Sequence, residues 1–463
     1  MALFQSPTGT KDWLPPDSER MAYLISSFSA HVKLANYHLV VSPMFEDSGV
    51  FVRGVGNESE VVTKEMYDFV DKGGRNLALR PEGTASIVRA FLQHNPPVPF
   101  KAWYVGPSFR YERPQAGRYR QHHQVGIEAL GSQDPYLDFE VISLLVDWFS
   151  SLGLRDLVLK LNSLGDENCR PEYLTELSFY LEQHQDLLCP EHGKRWQSNP
   201  LRVLDCKKEP CVLVKQGAPK IKNSLCLECA AHLDTLVACL DEHEIDYVLD
   251  DYLVRGLDYY TRTTFEVACN SLDSSQNAIG GGGRYDNLAR ALGGGDIPGI
   301  GFASGLERVL LACESQGIML PVSLPPKIFL IDITGGGVAA HLSHTFRSHG
   351  LACDRSFDNK SLKSQLRQAD KSGAILAVIV GEKERAKNLV QLRWFSVDYE
   401  KRFVQFLTSE FSSVLNLTVK RDNSLDRIDP ESTKNIITQY GLSSMFPEYL
   451  LGFVIKKFLF YTT

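Results

Sequence analysis

Four arginines fall within eleven residues in the segment FRYERPQAGRYRQHHQVGIEALG, residues 109–131: Arg110, Arg113, Arg118 and Arg120. A guanidinium group can grip a phosphate with two parallel hydrogen bonds, so this density suits a nucleotide or a nucleic-acid backbone. Pro114, Ala116 and Gly117 make the centre of the segment a loop. Trp103-Tyr104-Val105 before it and residues 125–130 after it read as strands. On the second strand, period-two alternation puts Gln124, Gly126 and Glu128 on one face and Val125, Ile127 and Ala129 on the other. The apolar face packs. The other offers an amide, bare backbone and a carboxylate, which suits a small polar ligand. A solvated, charged hairpin would account for the arginines but not for that polar-faced strand.

Three further segments carry candidate groups. LALRPEGTASIVRAF sets Glu82 and Thr84 just ahead of a helical run over 85–91. Taken alone it is a helix start, with Thr84 as N-cap and Glu82 near the positive helix end. LVRGLDYYTRTTFEV, residues 253–267, interleaves Arg255, Asp258, Tyr259, Tyr260 and Arg262 with strand formers. Alone it reads as an amphipathic hairpin with cross-strand pairs. AIGGGGRYDNL is followed by IPGIGFASGLERVLLA, in which a Gly-rich strand runs into a helix bearing Glu307 and Arg308. Glycines 280–283 let a backbone lie close to a ligand. The spacing of Gly299, Gly301 and Gly305 does not match a dinucleotide fingerprint, and no acidic partner follows a second strand, so a Rossmann reading is discarded.

The elements that must position these groups fall into three regions. At 463 residues the chain is long enough for about three domains. Residues 1 to about 320 mix strands and helices without regular βαβ alternation. Within them Asp134-Pro135 opens a helix that runs to Gly153, its apolar residues Phe139, Ile142, Leu145, Val146 and Phe149 at helical spacing. Residues 171 to about 245 read as a mostly helical inserted subdomain. VSLPPK, 322–327, reads as a linker. Beyond it a strand at 328–333, a helix from Val338 that Gly350 stops, a helix at 361–370 and a strand at 374–381 suggest a small α/β domain with a mainly parallel sheet, over 327–393. Lys360, Lys363, Arg367 and Lys371 in this domain supply either phosphate contacts or a solvated helix face.

The chain is 43% hydrophobic and 23% charged, with a net charge of −7. That balance argues against a protein coated in positive charge, but leaves local basic clusters open. The first residues lack a basic start followed by an apolar run, and no stretch approaches the ~20 apolar residues of a membrane span. Cytoplasm is therefore the default expectation, with no membrane partner. Ten cysteines in such a chain read as reduced thiols or metal ligands. Cys206-x4-Cys211 and Cys226-x2-Cys229, with Cys189 and His192 upstream, could form a tetrahedral zinc site; the alternative is buried reduced thiols.

Taken together, from about residue 8 to residue 393, these segments resemble the class II aminoacyl-tRNA synthetases and, among them, the histidyl-tRNA synthetase family. VVSPMFED, 40–47, resembles the first class II motif, which builds a dimer interface around its proline, here Pro43. FRYERPQAGRYRQHHQ resembles the second. GIGFASGLERVLL resembles the third, with Arg308 as its arginine. LVRGLDYYTRT and GGGRYDNL resemble the two segments peculiar to histidine-specific members. The five stand in the family's order.

The resemblance implies an α+β fold: an antiparallel-sheet catalytic domain with an inserted helical subdomain, plus a small α/β anticodon-binding domain. It implies ATP-dependent activation of L-histidine and transfer to the 3′ end of histidine tRNA, by a homodimer, with Mg2+ accompanying ATP. Its catalytic arginines are Arg110 and Arg255 on the α-phosphate and Arg308 on the γ-phosphate. Glu112, Arg118 and His122 would complete the ATP site. Glu82, Thr84 and Gln124, with Gly83 beside them, would bind the α-ammonium of histidine. Glu128 and Tyr260 would face its imidazole, and Tyr259 and Tyr285 would line the pocket. Residues 114–120 would meet the tRNA acceptor end, including the extra 5′ guanosine. A site that hydrogen-bonds a substrate N–H rejects analogues lacking it by about 10⁴–10⁵, so one sieve would suffice without an editing domain.

The chain departs from the pattern in two places. His122 stands where the family usually has an aromatic ring that stacks on adenine; a histidine there would keep ATP binding but make it weaker or pH-sensitive. Past Arg393 the resemblance stops, and 394–463 reads as a divergent tail that puts the completeness of the anticodon domain in question. Two rival readings remain. One is the synthetase-like regulatory subunit of ATP phosphoribosyltransferase, against which Arg110, Arg255, Arg308 and the α/β region argue. The other is a non-enzymatic nucleic-acid-binding module, against which Gln124 and Glu128 argue, since carboxylates repel phosphates.

Overall fold

The computed structural model describes residues 4–56, 59–193, 196–273, 277–321, 328–348, 350–386 and 390–395. The linker expected at 322–327, and all of the expected tail except Trp394 and Phe395, lie outside the described residues. The chain divides into two units, Met1–Val322 and Ser323–Thr463.

In chain order the strands of the first unit are β1 (His38–Leu39), β2 (Phe45–Asp47), β3 (Asp68–Val70), β4 (Asn76–Leu79), β5 (Phe100–Phe109), β6 (Gln121–Leu130), β7 (Leu157–Ser163), β8 (Tyr247–Leu249), β9 (Thr261–Cys269), β10 (Ala278–Arg284) and β11 (Gly299–Gly305). Eight of them form one sheet in the order β1-β5-β6-β11-β10-β9-β7-β8, and β2-β4-β3 form a small second sheet. From β5 to β7 every pairing is antiparallel; only the edges, β1 on β5 and β8 on β7, are parallel. An antiparallel sheet can bury one face and leave the other open. Here Val125, Ile127, Ala129 and Phe302 bury the closed face against Leu24 and Phe28 of helix Asp17–Lys33 and Trp148 and Phe149 of helix Pro135–Ser151. The open face is left for the site.

Helix Pro135–Ser151 shows how local chemistry sets an element. The Asp134 side chain accepts from the Tyr136 N–H at 3.0 Å, and Pro135 takes the first helical position, where no amide is needed. Gly153, at φ +86°, turns the chain away past the end. One charge on this helix is fully buried. Asp138 meets Arg284 of β10, accepts from Thr263 of β9 at 2.6 Å, and lies 2.8 Å from His232 of helix Leu227–Glu242. Burial alone would raise its carboxyl, but the bonds to His232 and Arg284 hold it below the usual range. The network ties the helical layer to the two strands that flank the site. Removing one partner would leave a buried charge uncompensated, at a cost of about 3–5 kcal/mol.

Between β7 and β8 the chain runs through helices Arg170–Gln183, Leu201–Asp205, Glu209–Gln216 and Leu227–Glu242.

In the second unit β12 (Ile328–Asp332), β13 (Cys353–Arg355), β14 (Leu376–Val380) and β15 (Gln391–Trp394) form a sheet in the order β13-β12-β14-β15. The first three are parallel and β15 is antiparallel to β14. β12 and β14 are buried throughout, which is why they read as apolar runs. β13 and β15 are short and only half-buried, and sequence periodicity misses them. The Asp332 carboxylate accepts from the amides of Thr334, Val338 and Ala339, capping helix Gly337–Ser348. Lys363, Arg367 and Lys371 lie exposed on helix Leu362–Lys371.

Candidate active site

Glu128 lies fully buried behind Thr84, Tyr285 and Gly301, which line the closed end of a cavity of about 240 Å³ on the open face of the large sheet. Because Val125, Ile127 and Ala129 are buried in the core, Gln124, Gly126 and Glu128 fall on the opposite face of the strand, and Gln124 lines the cavity directly. Across the sheet β11 sets Gly301 against Glu128 and Ala303 against Gly126. A Cβ at Gly301 would collide with the Glu128 carboxylate, so only glycine leaves the acid in place. Glu128 is fully buried and accepts from the Thr84 hydroxyl at 2.7 Å and from the Tyr285 hydroxyl. Burial pushes its carboxyl up to about 8 against these hydrogen bonds, and the charge of Glu82 adds to the rise. At neutral pH Glu128 therefore holds a proton.

Glu82 caps helix Thr84–His94. Its two oxygens accept from the amides of Thr84, at 2.5 Å, and Ala85, at 2.9 Å. This corrects the reading of Thr84 as the N-cap: a carboxylate two residues earlier satisfies both amides and complements the helix dipole, which leaves the Thr84 hydroxyl for Glu128. Gly83 makes room for the Tyr104 ring, which a side chain there would strike. Gln124 accepts from Ser108 at 2.9 Å and lines the cavity above this group.

Tyr259 and Tyr260 close the same end, with ring centroids 4.7 Å apart and Tyr285 at 5.8 Å from Tyr259. The hairpin expected over 253–267 does not form. Strand pairing begins only at Thr261, where β9 pairs with β7 and β10. The preceding segment is pinned as a loop by side chains. Asn162 holds the Leu253 carbonyl at 3.1 Å, while Asn199 and Arg202 hold the Asp258 carboxylate at 3.0 and 2.8 Å.

The other end is basic. Arg110, Arg118, Arg255 and Arg308 all line it. Arg118 pairs with Glu112, and Arg255 donates to Glu266 of β9 at 2.7 Å. Glu266 lies opposite Gly281 of β10, and a Cβ on Gly281 would come 2.7 Å from the Arg255 guanidinium. Arg110 and Arg308 donate only to carbonyl oxygens: Pro81 at 2.9 Å for the first, Ala278 at 2.9 Å and Gly117 at 3.3 Å for the second. Burial lowers the Arg308 pKa, and the charges of Arg118, Arg110 and Arg255 lower it further. Four guanidinium groups line this end with three carboxylates, Glu112, Glu266 and Glu307. Neither Arg110 nor Arg308 pairs with a carboxylate among the described residues, an arrangement that suits an anion.

His122 lines this end too. Burial, then the charges of Arg110 and Arg308, push its imidazole down to about 3. This direction disfavours a proton on the ring in the physiological range and so runs against the pH sensitivity expected of a histidine here. Of the remaining loop arginines, Arg120 stacks on Tyr111 at 4.0 Å, and Arg113 is not among the lining residues. Sequence reasoning missed Glu266 and Tyr104. Glu266 is the single carboxylate on the TTFEV strand two positions into the sheet from Thr264, and Tyr104 alternates with the buried Trp103 on β5.

The four cysteines read as one zinc site do not come together. Cys206 and Cys211 group with Cys189 and His192, whereas Cys226 and Cys229 group with Asp166 and Cys169. The first pair belongs to the short helices Leu201–Asp205 and Glu209–Gln216, and the second begins helix Leu227–Glu242, which returns to the end of β7.

A family model for histidyl-tRNA synthetase matches residues 9–166 and 191–309, spanning every element of this cavity. The chain belongs to the histidyl-tRNA synthetase family. An anticodon binding domain model matches residues 329–415, so the likeness extends past Arg393, where the motifs gave out. The histidine–tRNA ligase of Halothermothrix orenii is 46% identical over 385 residues, 82% of this chain and 92% of the relative. That of Moorella thermoacetica is 46% identical over 397 residues, 84% and 93%. The apo S. aureus histidyl-tRNA synthetase superposes with a TM-score of 0.72 at 34% identity, covering 85% of this chain and 95% of that one. An ATP phosphoribosyltransferase regulatory subunit/histidyl-tRNA synthetase from Bacillus halodurans shares the fold, with a TM-score of 0.59 at 19% identity.

Proposed function

We propose that this cavity binds histidine at its closed end and the ATP phosphates at its basic end, and that the two react where the ends meet. The chain is a histidine–tRNA ligase, an aminoacyl-tRNA synthetase. The histidine carboxylate attacks the α-phosphorus of ATP, pyrophosphate leaves, and the histidyl-adenylate then passes its acyl group to the 3′ end of histidine tRNA, releasing AMP. The division of one cavity into a buried acid held by hydroxyls and a set of under-neutralised arginines carries this reading.

Tyr260, and Glu128 from directly behind Thr84 and Tyr285, face the imidazole, with Tyr259 and Tyr285 walling it. Glu82, Gly83, Thr84 and Gln124 take the α-ammonium. Arg110 and Arg255 act on the α-phosphate and Arg308 on the γ-phosphate, with Glu112, Arg118 and His122 completing the ATP site. A preplaced cation at the α-phosphate stabilises charge as it develops, with no reorganisation at the moment of reaction. The rest of the rate comes from positioning. Magnesium would accompany ATP and neutralise phosphate charge, and Glu112 and Glu266, which line that end, would hold it.

Val41, Met44, Phe45 and Val70 are exposed large apolar residues on and beside β2 and β3, Val41 at 80%. We assign this face to a homodimer interface. The second unit binds the tRNA anticodon, its exposed lysines and Arg367 meeting phosphates, and the protein works in the cytoplasm. No described helix is long and apolar enough to cross a membrane.

The test is ATP–pyrophosphate exchange with purified protein across a panel of amino acids. Exchange that depends on histidine is the expected result. Folded protein that binds histidine but does not exchange would favour a regulatory role instead.

A further inference from the structure

All ten cysteines are free thiols, and seven Cys and His side chains grouped so that they could hold a metal ion lie in the helical segment between β7 and β8 or at its edges, none of them lining the cavity. Cys189, His192, Cys206 and Cys211 form the tighter of two questions they pose. Their ligand atoms all lie within 4.8 Å of one another. Cys189 Sγ is 3.1 Å from His192 Nδ1 and 4.0 Å from Cys206 Sγ, and Cys211 Sγ is 3.9 Å from His192 Nδ1. A zinc ion with Zn–S of about 2.3 Å and Zn–N of about 2.0–2.1 Å sets its tetrahedral ligands roughly 3.5–3.8 Å apart. The observed spacings straddle that range. They are far from the ~2.05 Å of a disulfide. The Cys189 amide also donates to Cys211 Sγ at 3.4 Å, a bond that favours the thiolate form.

We propose that Cys189, His192, Cys206 and Cys211 hold one structural Zn2+, with all four coordination positions filled by this chain. Three thiolates and a neutral imidazole leave the site with a charge of −1, and Lys208, two residues after Cys206, lies beside it. The second group, Asp166 with Cys169, Cys226 and Cys229, is a weaker competitor. Its Asp166 carboxylate is already paired with the Arg262 guanidinium at 3.2 Å, and that cation opposes a metal ion.

The site has work to do. Helices Leu201–Asp205 and Glu209–Gln216 have five and eight residues, too short to persist without tertiary support. The ligands close the chain on itself from Cys189 to Cys211. Inside that closure, Asn199 and Arg202 hold Asp258, which lies three residues after Arg255 and directly before Tyr259. The ion therefore braces the back of the loop that presents Arg255 and Tyr259 to the cavity. This bracing role, unlike the metal site itself, rests on the proposed function of those two residues.

Metal analysis of protein purified without chelator tests the site. One zinc per chain is expected in the unaltered protein and in Cys229→Ser, and little or none in Cys211→Ser or His192→Ala. Cobalt substitution should give thiolate-to-metal charge transfer and the d–d bands of a tetrahedral ion, a readout independent of catalysis. Should those variants fail to fold, alkylation of the unaltered protein with and without zinc keeps the question open to decision: zinc should protect Cys189, Cys206 and Cys211. Absence of zinc from the unaltered protein, zinc retained by Cys211→Ser but lost from Cys229→Ser, or alkylation indifferent to zinc would each overturn the site. Hydrogen exchange tests the bracing. Amides over 199–205 should exchange faster once zinc is removed, while those of β9 and β10 hold; unchanged exchange over 199–205 overturns that role.

Discussion

The two ends of the cavity solve opposite electrostatic problems. At the closed end a carboxyl group is buried, hydrogen-bonded by Thr84 and Tyr285, and kept protonated by burial. Glu128, Thr84 and Tyr285 partner one another there, while the buried Tyr104 hydroxyl has no partner among the described residues, so a ligand must match hydrogen-bond donors and acceptors already in place. At the open end four arginines stand among three carboxylates, and Arg110 and Arg308 donate to backbone carbonyls. That end is short of negative charge, and almost any suitably shaped polyphosphate would relieve it. On the proposed function, selectivity would belong to the closed end and catalysis to the open one.

Removing Arg255 should break this contrast most severely. Arg255→Ala is expected to lower kcat for pyrophosphate exchange by about 10²–10³, the loss seen when one preorganised donor to a developing charge is removed. The KM for histidine should change little, because Arg255 sits over Gly281 at the phosphate end. Exchange kinetics that show a large rise in the KM for histidine, with kcat kept, would place Arg255 at the wrong end.

At the closed end the effect should appear in KM. Glu128→Ala leaves the hydroxyls of Thr84 and Tyr285 without their acceptor, at a cost of about 1–3 kcal/mol for each unsatisfied group. The KM for histidine should rise by roughly 10–100-fold with the ATP KM unmoved. A parallel loss in both constants would mean that the two ends are not separable.

Glu128→Gln sharpens the same end through pH. An ordinary carboxyl titrates near 4.3, whereas Glu128 titrates at about 8 in the folded chain. Between those values the folded state binds a proton that the unfolded chain has released, so stability falls as pH rises and levels off above about 8. Glutamine mimics the protonated acid and has no proton to lose. The melting temperature of Glu128→Gln relative to the unaltered protein should therefore climb from pH 5 to pH 8, by about 2–4 °C for each kcal/mol recovered. A difference independent of pH would show that Glu128 is ionised throughout.

How far the sequence discloses this arrangement depends on whether a residue acts through local pattern or through a distant partner. The polar face of β6 is legible because alternation is a local property, and helix Pro135–Ser151 because its cap and its period are both written in adjacent residues. Glu82 as a cap could be guessed only in competition with Thr84, since both lie within reach of the same amides; the structure decides because Thr84 finds Glu128, 44 residues away. The loop before β9 reads as a hairpin in sequence because what holds it, Asn162, Asn199 and Arg202, lies far away along the chain. The cysteine pairs illustrate the same limit: close spacing identifies each pair, but which pair meets which partner is a matter of how the helices return. β13 and β15 escape because short, half-exposed edge strands leave no periodic trace.

His122 should give the smallest effect, and it bears on the open end alone. On the proposed function the ring would cover adenine, and burial together with the charges of Arg110 and Arg308 disfavours its protonation. A neutral imidazole and a phenyl ring are both flat and uncharged, and they differ mainly in area. His122→Phe should therefore leave the ATP KM equal or lower by a few-fold, the gain coming from added apolar contact of up to ~1.5 kcal/mol for an aromatic pair. Because the imidazole titrates near 3, the ATP KM of the unaltered protein should also be flat between pH 6 and pH 8, once the titration of ATP itself is corrected for. A large rise in the ATP KM on substitution by Phe would mean that a ring nitrogen, rather than the ring face, meets the nucleotide, and the open end would then recognise the base by hydrogen bonding as the closed end recognises histidine.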